Sequence, residues 1–431
     1  MIAHPKTWRI KSLEELADVQ TGLAKGKTGL EDPVTVPYLR VANVQDGFLD
    51  LSEVKNIQVG RGEMDRYRLR QNDVLLTEGG DLDKLGRGVV WHGQIELCLH
   101  QNHVFVVRTR SELLRPQFLA LLTASPYGRR YFLGCAKRTT NLASINATQL
   151  KQFPVLLPSV SEQDAMASLL GAWNAVADAL NARLEAGRSR RLGLIQQLLT
   201  GQTRFKEFEG QAWQNLALGE ILTFEPRVVT KPKGAFLAAG IRSHGKGVFL
   251  KPDFEGDDIA LDELFQLRTD DLVVNITFAW EGAVAIVPPE ADGALVSHRF
   301  PTFTFKRGVS FPGYFRHVIR RKRFVHELGL VSPGGAGRNR VLSKSDFLRI
   351  RVELPSFEEQ QRIAAVLDAS DREIELLQKQ LGALKEQKRG LMHNLLTGEV
   401  RVKGEGRRQK PESGVQNGRQ RVHGRENEAE L

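Results

Sequence analysis

The sequence predicts an α+β (mixed α/β) chain: two globular modules separated by two long helices that pair as an antiparallel coiled coil. Three observations carry this. The chain has 431 residues, about three domains' worth at roughly 150 residues each, so a single core is excluded. Residues 157–205 align without a gap on residues 354–402, and 18 of the 49 positions are identical, which marks an internal repeat. Each copy follows a segment of about 150 residues in which short β-branched and aromatic runs are broken by glycines and polar turns. The order is therefore module 1–157, helix 158–201, module 202–354, helix 355–402, and a tail, 403–431.

The first module is anchored by Trp8 and by Leu69-Arg70-Gln71-Asn72-Asp73-Val74-Leu75-Leu76, a turn feeding a buried strand. The second has matching anchors in Trp213 and Leu267-Arg268-Thr269-Asp270-Asp271-Leu272-Val273-Val274. Between those anchors the modules differ strongly, so divergent tips on a shared frame predict two different ligands.

Each helix is punctuated by its own residues. Ser159-x-x-Glu162 and Ser356-x-x-Glu359 read as capping boxes after a proline, and Gly201 and Gly398 as left-handed helix stops. About 40 residues at 1.5 Å each give a helix of roughly 60 Å. Ile363, Leu367, Ser370, Ile374, Leu377, Leu381, Leu384, Lys388, Leu391 and Leu395 form a heptad seam. In the first copy it runs through Met166, Leu170, Trp173, Ala177, Leu180, Leu184, Gly187, Arg191, Leu194 and Leu198. Both seams carry a cation at one matching position, Arg191 and Lys388, either setting register or snorkelling to water. The coiled-coil and partner residues are taken as Leu170, Trp173, Leu180, Leu184, Leu367, Ile374, Leu377 and Leu381. The tail is polar and charged, and reads as disordered.

Composition narrows the function. Lys and Arg total 61 against 51 Asp and Glu, a formal net charge of +10 that favours a polyanionic partner. The two cysteines, Cys98 and Cys135, exclude a disulfide scaffold and a cysteine zinc site. There is neither an apolar run long enough to span a bilayer nor a signal-peptide core at Met1, so a soluble cytoplasmic protein without a membrane partner is expected. Gly22 to Thr28 resembles a phosphate loop but has three residues, not four, between its glycines. Pro288-Pro289 lacks the Asn and the aromatic residue with which an adenine methyltransferase holds its flipped base. Pro252-Asp253 with Glu386-x-Lys388 makes a poor nuclease pattern, its second part lying on a coiled-coil helix. No catalytic residue, metal ligand or cofactor loop is assigned.

The run Tyr38-Leu39-Arg40-Val41-Ala42-Asn43-Val44, the run Asn72 to Gly80 with Leu85-Gly86-Arg87, and the repeated helix starts and stops together resemble the specificity (S) subunit of type I restriction-modification systems. The resemblance implies two target-recognition domains, each reading one half of a split, asymmetric double-stranded DNA sequence. It implies helices that act as spacer and docking surface for two methyltransferase (M) subunits. S-adenosylmethionine would be held by those partners and not by this chain, and restriction/motor (R) subunits would join the full assembly. The chain itself would be non-catalytic. The alternatives are a coiled-coil scaffold whose modules bind proteins, and a self-sufficient modification enzyme.

Candidate DNA contacts follow from side-chain chemistry. Arg40 and Asn43 are of the types that pair bidentately with guanine and adenine, or form a structural pair. Lys84 and Arg87, beside Gly79-Gly80, suit phosphate in a flexible loop. Lys137, Arg138, Thr139 and Asn141 in the first module occupy a place equivalent to Arg338, Asn339 and Arg340 in the second. Basic and polar, these loops suit phosphate neutralisation and base edges. Gln101-Asn102-His103 and Ser297-His298-Arg299 suggest a shared structural histidine bond. Arg320 to Arg323 reads as a solvated face or a phosphate track.

Overall fold

The computed structural model describes residues 4–80, 85–86, 88–138, 143–256, 260–334 and 340–402. It divides into two units, residues 1–178 with 382–431 and residues 179–381, so each unit holds one module and the nearby stretches of both long helices.

In the first unit, Val74–Thr77 is the buried centre of a four-stranded antiparallel sheet. Val104–Thr109 and Gly88–Val90 flank it, and Ala17–Gln20 pairs outside Val104–Thr109. The second unit repeats the arrangement with Leu272–Val274 between Thr302–Phe305 and Val284–Ile286, and Leu222–Phe224 outermost. The Arg70 amide donates to Asp73 Oδ2 at 2.8 Å and the Arg268 amide to Asp271 Oδ2 at 3.1 Å, which fixes the turn entering each central strand. Asn72 and Asp270 supply its left-handed residue (φ 72° and 69°). The buried carboxylates take different cations. Arg108 Nε reaches Asp73 at 2.9 Å, whereas Arg227 Nη2 reaches Asp271 at 3.2 Å from another strand end.

A second sheet pairs Pro33–Leu39 with Lys55–Gly60 and, in parallel, Leu99–His100. Its counterpart pairs Ala235–Ile241 with Val248–Glu255 and, in parallel, Leu295–Val296. Here the modules diverge. The second extends this sheet with Val228–Thr230 and Glu263–Gln266. The first instead adds a ribbon in which Ala143–Ser144 lies between Lys137–Arg138 and Gly79–Gly80.

The long helices are Val160–Leu198 and Phe357–Thr397. Within the first unit Met166 and Leu170 share a core with Leu395 and Leu396; within the second, Leu198 and Leu199 share one with Ile363, Ala364 and Leu367. Both pairings join the start of one helix to the end of the other, which is antiparallel packing. Leu170, Leu184, Leu367, Leu377 and Leu381 are buried, while Trp173, Leu180 and Ile374 are half-buried. The seam cation Arg191 donates Nη2 to Asp371 at 3.1 Å. Lys388, at the matching place, lines a cavity with Asn174 and Asp178; burial lowers its pKa, while Asp46 and Asp178 hold it up.

Candidate nucleic-acid interface

The modules are fixed to the helices by two joints built from the repeated residues. Gln163 and Gln360 are fully buried. Gln163 Nε2 donates to Leu113 O at 2.9 Å and Pro158 O at 3.0 Å, and its Oε1 accepts from the Arg115 amide at 2.8 Å. Gln360 does the same with Val309 O, Pro355 O and the Phe311 amide, at 2.9, 3.0 and 2.9 Å. Each glutamine thereby ties its helix start to the segment that opens a module helix, Pro116–Ala124 or Pro312–Val318.

The neighbouring glutamates reach across to the end of the other helix. Arg401 Nε donates to Glu162 Oε1 at 2.7 Å and Arg204 Nε to Glu359 Oε1 at 2.9 Å. Burial by itself would raise the Glu162 pKa; the bonds from Arg401 and Ser159 outweigh it, and the carboxyl lies below its ordinary range. Arg401 lies over the Trp8 ring (5.8 Å) and Arg204 over Trp213 (6.0 Å). Those rings pack on Gly398 and Gly201, whose φ values of 78° and 70° favour glycine. The expected capping box forms with both bonds at Ser159 and Glu162. At Ser356 only the hydroxyl cap on the Glu359 amide is made among the described residues, because the Glu359 carboxylate is turned to Arg204. Gln163, Gln360, Arg204 and Arg401 stand out in the sequence as identities of the repeat, and Trp8 and Trp213 as module anchors, but nothing in the sequence pairs them.

Of the two readings of Arg40 and Asn43, base contact or structural pair, the structure shows the structural pair. Asn43 is 3% exposed. Its Oδ1 accepts from the Arg40 amide at 2.9 Å, and its Nδ2 donates to Asp50 O at 2.8 Å and Glu53 O at 3.0 Å, leaving no edge for adenine. Arg40 folds onto the same turn, with Nη2 3.3 Å from Glu53 O and 3.5 Å from its carboxylate. Both residues clamp a turn.

The described ends of the two basic loops in the first module share one ribbon. Gly79–Gly80 is a ribbon strand, not a flexible loop, and the shared strand Ala143–Ser144 joins it to Lys137–Arg138. A Cβ on Gly79 would meet Ala143 O at 2.6 Å, which explains a glycine there. Lys137 is exposed on this ribbon. Lys84, Arg87, Thr139 and Asn141 lie outside the described residues, as does the Arg138 side chain. His103 Nδ1 lies 2.5 Å from Glu78 Oε2 at the ribbon base, whereas His298 is exposed without such a bond among the described residues, so the histidine bond is not shared.

In the second module Arg338 and Asn339 lie outside the described residues, and Arg340 stands over the Trp280 ring at 5.3 Å. The basic run after Pro312–Val318 divides by role. Arg321 Nη1 donates to Leu199 O at 2.8 Å and closes the end of the first long helix, whereas Arg320 and Lys322 line an open cavity with Trp280.

One His and acid group among the described residues, His317 with Asp368 and Asp371, is close enough to hold a metal. Its carboxylates are already engaged: Asp371 by Arg191, Asp368 by His317 Nε2 at 3.0 Å with Arg316 at 3.8 Å. It is an ionic network between a module helix and a long helix.

A family model described as type I restriction modification DNA specificity domain matches residues 5–186 and again 212–386. The chain belongs to this family. It is a type I restriction-modification specificity subunit with two target-recognition domains, and is non-catalytic. A putative type I restriction enzyme MjaX specificity subunit of Methanocaldococcus jannaschii is 24% identical over 415 residues, covering 93% of this chain and 95% of the relative. The EcoKI specificity subunit of Escherichia coli K12 is 26% identical over 198 residues, 46% of this chain and 41% of the relative. The crystal structure of an S subunit from M. genitalium matches the fold with a TM-score of 0.51 at 15% identity, covering 90% of this chain and 96% of that one. A chain from a structure of type I R-M complex assembly and conformational transition matches with a TM-score of 0.53 at 14% identity, covering 92% and 99%. Specificity subunits bind DNA and assemble with other subunits. Among the described residues of this specificity subunit no helix is long and apolar enough to cross a membrane.

Proposed function

We propose that each target-recognition domain reads one half of a bipartite, asymmetric double-stranded DNA site, while the long helices dock two methyltransferase subunits. S-adenosylmethionine is then held by those partners, restriction subunits join the same assembly, and the complex works in the cytoplasm. One observation carries the reading: the glutamine, glutamate, arginine and tryptophan joints repeat residue for residue, while the outer strands of the two domains differ. A repeated way of holding two unlike surfaces is what an asymmetric split target requires. The exposed cation of the first-domain ribbon, Lys137, and the basic cavity beside Trp280 in the second support DNA as the ligand of those surfaces.

The test is selection of bound duplexes from a randomised pool, using the full chain alone and with a methyltransferase partner. The expected result is two unlike sequence blocks separated by a fixed gap, with affinity falling steeply as salt rises. Methyl transfer should require the partner. Enrichment of no sequence, or of one continuous block, would reject the split-site reading.

A further inference from the structure

Within the second domain a cavity of about 770 Å³ opens between three segments and one isolated arginine. Its floor is the turn Ala279–Glu281, which joins Leu272–Val274 to Val284–Ile286. One wall is the turn after Ala235–Ile241. There the His244 amide donates to Glu281 O at 2.8 Å, the Gly245 amide donates to Gly282 O at 3.0 Å, and Ser243 Oγ donates to the Glu281 carboxylate at 2.8 Å. The opposite wall is one face of the helix Lys322–Leu330, from which Lys322 and His326 project at the i, i+4 spacing. Val325 of that face packs on Gly282, where an added Cβ would lie 3.2 Å away. The turn, wall and helix therefore hold one another in place.

The chemistry of the lining is one-sided. His244, Arg320, Lys322, His326 and Arg340 face it, and among the described residues Glu281 is the one carboxylate, already bonded to Ser243. The aromatic floor is Trp280, half-buried, with the Arg340 guanidinium 5.3 Å from its ring centroid. Among the described residues Arg340 has no ion-pair or hydrogen-bond partner. A cation–π contact places the guanidinium over the indole and uses none of its N–H donors. A guanidinium held there, beside clustered cations, matches the two acceptors, O6 and N7, that guanine shows in the major groove, with a backbone phosphate at the cations.

Resting on the reading of this chain as a split-site DNA reader, we propose that Arg340, oriented by Trp280, reads a guanine in the half-site of the second domain, and that Lys322 contacts phosphate beside it.

The experiment repeats the duplex selection with the full chain and three variants, then measures affinity for the enriched duplex and its single-base changes. Arg340→Lys keeps the charge but loses the fork; it should hold random-duplex affinity within about twofold and lose roughly tenfold or more of the preference for guanine at one position of one block. The other block should be unchanged. Trp280→Phe should lose part of the same preference, because the ring remains. Lys322→Gln should weaken every duplex alike and flatten the salt dependence. Arg340→Lys selecting the wild-type sequence with undiminished guanine preference would overturn the proposal while leaving the split-site reading intact, as would a loss spread evenly over all positions. A wild-type chain that enriches nothing would overturn that reading and this one together. The conservative Arg340→Lys change, its fold checked by melting temperature, decides the matter even if a Trp280 variant fails to fold.

Discussion

Arg401 and Glu162, 239 residues apart, form a side-chain ion pair in which Nε lies 2.7 Å from Oε1. Arg204 and Glu359, 155 residues apart, make the equivalent pair at the other joint. Each helix start is thus locked by a residue that follows the end of the other helix. The pairs differ in depth: Glu359 is 1% exposed and Arg204 lies deep with it, while Arg401 is nearly half exposed. Removing one partner of a buried pair strands a charge and costs about 3 to 5 kcal/mol, whereas a partly exposed pair gives about 1 kcal/mol. Arg204→Ala should therefore destabilise its unit several times more than Arg401→Ala destabilises the other. Denaturant unfolding of the two variants checks this; equal losses would contradict the burial difference.

The glutamine joints give a complementary expectation. Gln163 and Gln360 have the same burial and the same three bonds, so Gln163→Ala and Gln360→Ala should cost similar amounts, about 3 kcal/mol each from buried groups left unpaired. Calorimetry that resolves the transitions of the two units would show matched downward shifts. A large loss at one site alone would mean that the repeat is not an energetic one.

His100 gives the first unit a defined acid response. The ring is fully buried, its Nδ1 lies 2.7 Å from Val104 O, and burial pushes its pKa down to about 4. An unfolded histidine titrates near 6.5, so the unfolded chain takes up this proton first. Stability is full above about pH 6.5 and falls as pH drops towards 4, by up to about 3 kcal/mol from this group. Histidine NMR at pH 5 should find this ring neutral, and melting temperature should decline through that window. A ring that titrates near 6.5 in the folded protein would refute the assignment.

Much of the frame was legible in the sequence because helix ends and joints are local patterns present twice. Ser159 and Gly201 have few roles open to them at those spacings, and comparison with Ser356 and Gly398 removed the ambiguity. Asn43 stays ambiguous in the sequence for a physical reason: an amide beside an arginine has the same composition whether it reads adenine or clamps a turn. The decision lay with the carbonyls of Asp50 and Glu53, whose approach depends on how the chain folds back. Trp280 carried no signal, since a lone loop aromatic acquires meaning only when Arg340, 60 positions later, is placed over it.

The glycine stops make an ordered prediction. Gly201→Ala and Gly398→Ala each force a side chain into the left-handed region, at about 1 to 2 kcal/mol. An added Cβ at Gly201 meets the Trp213 ring first, from 3.3 Å, whereas at Gly398 it meets Pro5 Cδ at 2.3 Å as well as Trp8 at 3.2 Å. Gly398→Ala should therefore be the more damaging by thermal melting. The reverse order would mean that the Pro5 contact yields freely.

Partner docking can be tested on side chains that the helix seam leaves outside. Leu169 and Val176, one heptad apart on the first long helix, are exposed in the first unit, and Leu192 and Leu376 are exposed in the second. Large apolar groups on a helix surface mark an interaction site when they recur along one face. If these faces each receive a methyltransferase subunit, Leu169→Ser with Val176→Ser should remove one partner, and Leu192→Ser with Leu376→Ser the other. Native mass spectrometry should then count one bound subunit in place of two, with DNA selectivity of the free chain retained because the joints and domain surfaces are untouched. Two subunits bound to both variants with unaltered affinity would place the docking surface elsewhere.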